Sequence, residues 1–140
     1  MDNALKILLV EDEPDIQAIA RIALETVGGF TVDIASCGQE GLEKASSFAP
    51  DLILMDFMMP GMDGPTTFKA LRQRPDTRHI PVTFMTAKVQ PQEVAYLRSL
   101  GALGVIPKPF DPMTLASIVQ SIWEENRDPR RLSGAAGRSA

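Results

Sequence analysis

The chain alternates between short apolar runs and segments in which apolar residues recur at helical spacing. The apolar runs have the length of buried strands, and we predict them at residues 6–10, 30–35, 52–55, 81–85 and 104–106. Each run is followed by a predicted helix. The first and last helices are the most regular, with apolar positions at Ile16, Ile19, Ala20, Ala23, Leu24 and Val27, and at Leu115, Ile118, Val119, Ile122 and Trp123.

Turn and capping residues divide these segments. Gly28 and Gly29 are expected to end the first helix, and Ser36 to cap the second. The sequence MMPGMDGP is typical of a turn, with Pro65 suited to the first position of the third helix. The fourth helix, predicted over residues 91–100, has the weakest apolar face. Five strand–helix units in strict alternation predict an α/β protein with a parallel sheet and helices on both faces.

Length and composition place this pattern in one domain. The 140 residues carry a formal net charge of −4, and 44% of them are hydrophobic. The mild acidic excess disfavours nucleic acid and anionic membranes as partners. The single cysteine, Cys37, and the lack of a signal-peptide pattern favour a cytoplasmic protein. We expect a domain over residues 1–126 and a disordered tail over residues 127–140.

Polar residues stand where four of the predicted strands end. Glu11 and Asp12 follow the first strand, and Asp56 follows the third. Thr86 ends the fourth strand, and Lys108 follows the fifth. Because the carboxyl ends of parallel strands lie along one edge of a sheet, we expect these side chains to share a crevice, provided that the first and third strands are neighbours.

Three carboxylates in one crevice repel each other unless a cation compensates them. Oxygen ligands without a histidine or thiolate cluster favour Mg²⁺, with Mn²⁺ as the alternative. An aspartate that remains free to react can attack a phosphoryl group and form an aspartyl phosphate. A lysine ammonium, here Lys108, and a hydroxyl group, here Thr86, would stabilise the charge on the transferred group.

The motifs LLVEDE, LILMDFMMPGMDG, MTA and PKPF, in this order, resemble the receiver domain family of two-component response regulators. The resemblance covers approximately Lys6 to Arg127 and implies a flavodoxin-like, three-layer α/β/α fold with strand order 2-1-3-4-5. By position, Asp56 resembles the phosphoacceptor. Glu11 and Asp12 resemble the acidic pair that holds the metal together with Asp56, and Met58 falls where the family supplies a backbone carbonyl to the metal.

The same resemblance assigns the remaining site positions. Thr86 and Ala87 resemble the switch segment, and Lys108 the lysine that pairs with the phosphoryl group, with a cis bond to Pro109. Lys88 and Met58 fall at positions that tune dephosphorylation. Val105 departs from the family, which often has an aromatic switch residue there. The family's partners would be a histidine kinase or a histidine phosphotransfer protein as donor, and a downstream protein on the face of the fourth helix, fifth strand and fifth helix.

The leading interpretation is a stand-alone, phosphorylation-operated interaction module, monomeric or weakly dimeric when phosphorylated. One alternative is a scaffold that keeps the fold without phosphorylation, for which the Val105 departure is a small hint. A second is an aspartyl-phosphate phosphohydrolase. Such enzymes need a second acid two residues after the nucleophile, where this chain has Met58.

Overall fold

The computed structural model describes residues 4–127, so most of the predicted tail lies outside the described residues. The strands and helices alternate along the chain. The strands are β1 (Lys6–Val10), β2 (Thr31–Ala35), β3 (Leu52–Asp56), β4 (Val82–Thr86) and β5 (Gly104–Pro107). The helices are α1 (Pro14–Ile22), a π-helical segment (Ala23–Val27), α2 (Gly38–Ser47), α3 (Gly64–Arg72), α4 (Pro91–Ser99) and α5 (Leu115–Arg127).

The five strands form one parallel sheet in the order β2-β1-β3-β4-β5. The predicted flavodoxin-like order is therefore confirmed. Every residue of β3 and of β4 is buried, because helices cover both faces of the central strands. The apolar sequence of β3, LILM, follows from this double coverage.

Successive residues of β1 point to opposite faces of the sheet and divide the core into two layers. Leu8 and Val10 pack in the layer beneath α2, α3 and α4. Ile7 and Leu9 pack in the layer beneath α1 and α5. The two layers complete the three-layer arrangement that the alternating pattern predicted.

The helix starts are held by different groups. The Asp63 carboxylate caps α3 by accepting the Thr66 N–H at 2.9 Å. The Glu93 carboxylate of α4 accepts the N–H of Gln90, the residue before the helix, at 3.2 Å. The expected cap of α2 was wrong, because Cys37 occupies the N-cap position. Ser36 instead donates its N–H to the Glu40 carboxylate at 2.6 Å.

The first helical segment differs from the single α-helix that the sequence predicted. Its hydrogen bonding changes after Ile22, and residues Ala23–Val27 form a π-helical turn. The segment still ends at the two glycines, since Gly29 adopts a φ of +75° that favours glycine. No helix in the described range 4–127 is both long and apolar enough to cross a membrane.

Candidate functional site

The strand order places β1 next to β3, so the acidic residues that follow these strands meet at one edge of the sheet. One carboxylate oxygen from each of Glu11, Asp12 and Asp56 lies within 4.8 Å of the other two. The expectation that three carboxylates share one crevice is therefore confirmed. Glu11 is fully buried and Asp56 is 4% exposed, whereas Asp12 is half-buried.

Lys108 joins two of these carboxylates. Its ammonium lies 3.2 Å from Glu11 Oε1 and 3.3 Å from Asp56 Oδ1. The other Glu11 oxygen, Oε2, accepts the backbone N–H of Glu13 at 3.1 Å. The backbone of Lys108 is also fixed, because its N–H donates to the Thr86 carbonyl at 2.9 Å. The peptide bond between Lys108 and Pro109 is cis.

Burial is the largest influence on the pKa values of Asp56 and Glu11. It raises the pKa of Asp56 above its ordinary value of 3.8, although Lys108 offsets part of the effect. Burial likewise raises the pKa of Glu11 above 4.5; the Glu13 N–H acts against it, and Asp56 adds to it. Burial alone would lower the pKa of Lys108, but Asp56 and Glu11 outweigh it and raise that pKa. The positive charge of Lys108 alone therefore does not balance the negative charge of the carboxylates.

The donor set fits a hard divalent cation. Its carboxylate oxygens can approach one ion together, and they carry more negative charge than Lys108 neutralises. Mg²⁺ prefers such oxygen ligands and retains waters that can be exchanged for phosphate oxygens. Glu11, Asp12 and Asp56 are therefore able to hold Mg²⁺ or Mn²⁺, with the chain at Met58 beside them.

The carboxylates open onto a shallow cleft of about 230 Å³. Its lining consists of six predicted site residues and one addition, Glu13, and does not include Glu11; the lining residues are Asp12, Glu13, Asp56, Met58, Thr86, Ala87 and Lys108. Met58 is 63% exposed at the rim of the cleft. The cleft therefore gives a small anionic group access to Asp56, the most buried carboxylate on its lining.

Thr86 is nearly buried, and its hydroxyl is engaged by the loop that follows β4. Its Oγ1 accepts the backbone N–H of Lys88 at 3.0 Å. Val105 lies on the neighbouring strand, opposite Phe84, and packs partly buried against the core beneath α4. The structure thus brings Thr86, Ala87 and Lys108 to the cleft, and places Lys88 and Val105 away from its lining.

Sequence reasoning missed two residues that shape the site. Glu13 lines the cleft as the third acid of LLVEDE, so its signal was present in the motif. Gly64 lies against the end of β3, where an added Cβ would approach the Asp56 carbonyl oxygen to 2.6 Å. The glycine after the Asp63 cap was visible in the sequence, but the close approach to Asp56 was not.

Comparison with known proteins agrees with this geometry. The model of the family described as "response regulator receiver domain" matches residues 7–120. The chain belongs to the response regulator receiver domain family. Receiver domains function in two-component signalling, where they accept phosphoryl groups from histidine kinases and bind Mg²⁺ at an acidic pocket.

Among curated relatives, the receiver domain is 32% identical over 122 residues to the response regulator Rre1 of a Synechocystis strain, covering 87% of this chain and 53% of Rre1. It is 38% identical to the alkaline phosphatase synthesis transcriptional regulatory protein PhoP of Bacillus subtilis, covering 84% of this chain and 48% of PhoP. The chain thus spans about half the length of the curated relatives it matches.

A solved structure is matched over nearly its full length. The chemotaxis response regulator CheY4 of Vibrio cholerae superimposes with a TM-score of 0.79 at 31% identity, covering 86% of this chain and 99% of CheY4. The similarity therefore extends to the fold as well as the sequence.

Proposed function

We propose that Asp56 is the phosphoacceptor and that its phosphorylation controls binding to a downstream protein. The observation that carries the proposal is the position of Asp56, which is nearly buried, contacts Lys108 and opens onto the acidic cleft. In the transfer, an Asp56 carboxylate oxygen forms a bond to phosphorus. The bond from phosphorus to the donor's nitrogen or oxygen breaks, and the donor retains that electron pair.

The acidic cluster would hold the metal that this transfer needs. Glu11, Asp12 and Asp56 would supply carboxylate oxygens, and Met58, which lines the cleft, would supply its backbone carbonyl. Bound Mg²⁺, or Mn²⁺ in its place, would neutralise charge on the phosphoryl oxygens. The same charge compensation allows an anionic donor to approach a site that otherwise repels it.

Three residues would hold the transferred group. The Lys108 ammonium, already 3.3 Å from Asp56 Oδ1, would exchange its contact with Glu11 or Asp56 for a phosphoryl oxygen. The Thr86 hydroxyl and the N–H of Ala87 would donate to the other oxygens. The Thr86 hydroxyl can donate its O–H while it accepts the Lys88 N–H, so a turn of this side chain toward the phosphoryl group would pull on the loop before α4.

The output surface would be formed by α4, β5 and α5, with Val105 on β5 and Lys88 in the loop before α4. A population shift of the Thr86 loop would change this surface and so its affinity for a partner. The phosphoryl donor would be a histidine kinase or a histidine phosphotransfer protein in the cytoplasm, and the domain would be a monomer or a weak dimer when phosphorylated. We propose a signalling role without turnover of a substrate, since Met58 stands where a phosphohydrolase needs its second acid.

Two aspartates provide a matched test, because Asp51 precedes β3 and Asp56 ends it. The protein is incubated with Mg²⁺ and acetyl phosphate, and the gain of one phosphoryl group is followed by intact mass. We expect the parent and Asp51→Asn to be labelled and Asp56→Asn to remain unlabelled. Parent-like labelling of Asp56→Asn would refute the proposal. Absence of labelling in the parent, with partner binding insensitive to Mg²⁺, would favour the scaffold alternative.

A further inference from the structure

Thr86 separates the acidic cleft from a second, smaller cavity. This cavity has a volume of about 150 Å³ and is lined by Phe57, Thr86, Lys88, Glu93, Tyr96 and Leu97. Because Thr86 lines both spaces, a movement of its side chain toward the cleft enlarges the cavity behind it. The cavity opens to solvent beside Lys88 and Tyr96, so the enlarged space would expose apolar surface to water unless a neighbouring side chain moves in.

The lining residues differ in their ability to fill that space. Leu97 is already buried, and the Phe57 ring is held in an edge-to-face contact with Phe84 at 6.1 Å between centroids. Lys88 and Glu93 are charged, and the Glu93 carboxylate accepts the Gln90 N–H. Tyr96 is the remaining candidate. The residue is 49% exposed, so burial of its ring would remove apolar surface from water.

The strand beside β4, β5, has no aromatic residue that could fill this cavity. Val105 packs against the core and does not line the cavity. The helix that carries Tyr96 is loosely anchored, because Leu97 is the one residue of α4 that is buried. By contrast, α3 buries Gly64, Thr67, Phe68 and Leu71. A small displacement of α4 is therefore easier than one of α3.

We propose that Tyr96 is the aromatic switch residue of this chain, acting from α4 in place of the missing ring on β5. The inference rests on the proposed phosphorylation of Asp56. When the Thr86 hydroxyl turns to the phosphoryl group, the Tyr96 ring moves into the enlarged cavity. The outer face of α4 then loses an exposed aromatic ring, which changes what a partner contacts there. Tyr96 is thus a positioning residue that couples the site to the output surface.

The chain contains a single tyrosine, so 3-fluorotyrosine places one fluorine probe on this ring. The ¹⁹F resonance and its solvent isotope shift between H₂O and D₂O are recorded with Mg²⁺ alone and with Mg²⁺ plus beryllofluoride, a phosphoryl mimic. We expect the resonance to shift and the solvent isotope shift to fall when beryllofluoride binds. Both quantities remaining unchanged, in a sample whose Asp56 is labelled by acetyl phosphate, would overturn the inference. A sample that takes up no label would overturn the proposed function as well.

Two variants give an independent readout. If burial of the ring favours the activated state, Tyr96→Ala should weaken beryllofluoride binding about tenfold, a usual size for coupling between sites. Tyr96→Phe retains the ring and should bind as the parent does, and the affinity for Mg²⁺ alone should be the same in all three. Equal beryllofluoride affinities in Tyr96→Ala and the parent would contradict the inference. The fluorine measurement uses the parent sequence, so it does not depend on the folding of the alanine variant.

Discussion

The aspartates at the two ends of the central strand β3 lie in opposite environments. At its amino end, Asp51 accepts the backbone N–H of Lys6 at 2.9 Å and donates its own N–H to the Lys6 carbonyl at 2.8 Å. At its carboxyl end, Asp56 meets Glu11 and Asp12, and Lys108 is the one cation paired with them in the part of the chain that the structure describes. One aspartate completes the pairing of two strands, whereas the other is held in an environment that disfavours its charge.

The larger cavities lie at the amino end of β3, away from the acidic cluster. The described residues at the amino end line spaces of about 330 and 480 Å³ beside Asp51 and Trp123, both larger than the acidic cleft of about 230 Å³. The difference that matters is the charge balance. At the carboxyl end, buried carboxylates have raised pKa values and too few cations, which is typical of a site that binds a metal and reacts.

The largest expected effect concerns the lysines at the two ends. Lys108→Gln removes the ammonium beside Asp56, and we expect phosphorylation by acetyl phosphate to slow about a hundredfold, as for other groups that stabilise transition-state charge. Lys6→Gln changes a lysine that lies over the Phe48 ring at the amino end, and its rate should equal that of the parent. Initial rates followed by intact mass test this, and equal rates for both variants would remove Lys108 from the mechanism.

The acidic cluster should bind Mg²⁺ through Asp12, which lies half-buried at the cleft. We expect Asp12→Asn to weaken Mg²⁺ binding by at least about tenfold, by analogy with the loss of supporting groups around metals. Asp51→Asn serves as the control and should bind as the parent does. Isothermal titration calorimetry measures both affinities. An unchanged affinity in Asp12→Asn would place the metal elsewhere.

Thermal stability should change in opposite directions at the two ends. Without divalent cations, Asp56→Asn removes an unfavourable buried charge, and we expect the Tm to rise by about 3–5 °C. Asp51→Ala leaves the Lys6 N–H without its side-chain acceptor, and the Tm should fall by a similar amount. Calorimetry in EDTA tests both shifts. A lower Tm for Asp56→Asn would show that its contact with Lys108 outweighs the burial of its charge.

The smallest expected effect is a change with pH in the Tm difference between Asp56→Asn and the parent. Because the folded-state pKa values of Asp56 and Glu11 are raised, their ionisation destabilises the folded state as the pH rises through those values. Lowering the pH from neutral through the raised values, toward the ordinary 3.8 and 4.5, should therefore narrow the Tm gap between Asp56→Asn and the parent. A gap that widens on acidification would mean that the carboxyl pKa values are lowered instead.

Much of the fold was predictable because it follows from repeated local signals. Buried strands such as LILM and helical runs such as the one ending at Trp123 carry their own periodicity. The start of a helix was harder to predict where several polar groups can bind to the same residues. Ser36 is a good capping residue, yet Cys37 takes that position because Glu40 binds the Ser36 N–H and Gln17 donates to the Ser36 hydroxyl. The π-helical turn after Ile22 had no local signal that we recognised.

By itself, the sequence determined the alternating α/β pattern, the residue types that end the strands, and the absence of an aromatic residue at position 105. These are properties of neighbouring residues along the chain. Tertiary structure decided that β1 lies beside β3, that Lys108 contacts both Glu11 and Asp56, and that Tyr96 borders a cavity behind Thr86. Such contacts join residues far apart in sequence, and burial sets their electrostatics, so they exist only once the sheet and its helices have packed together.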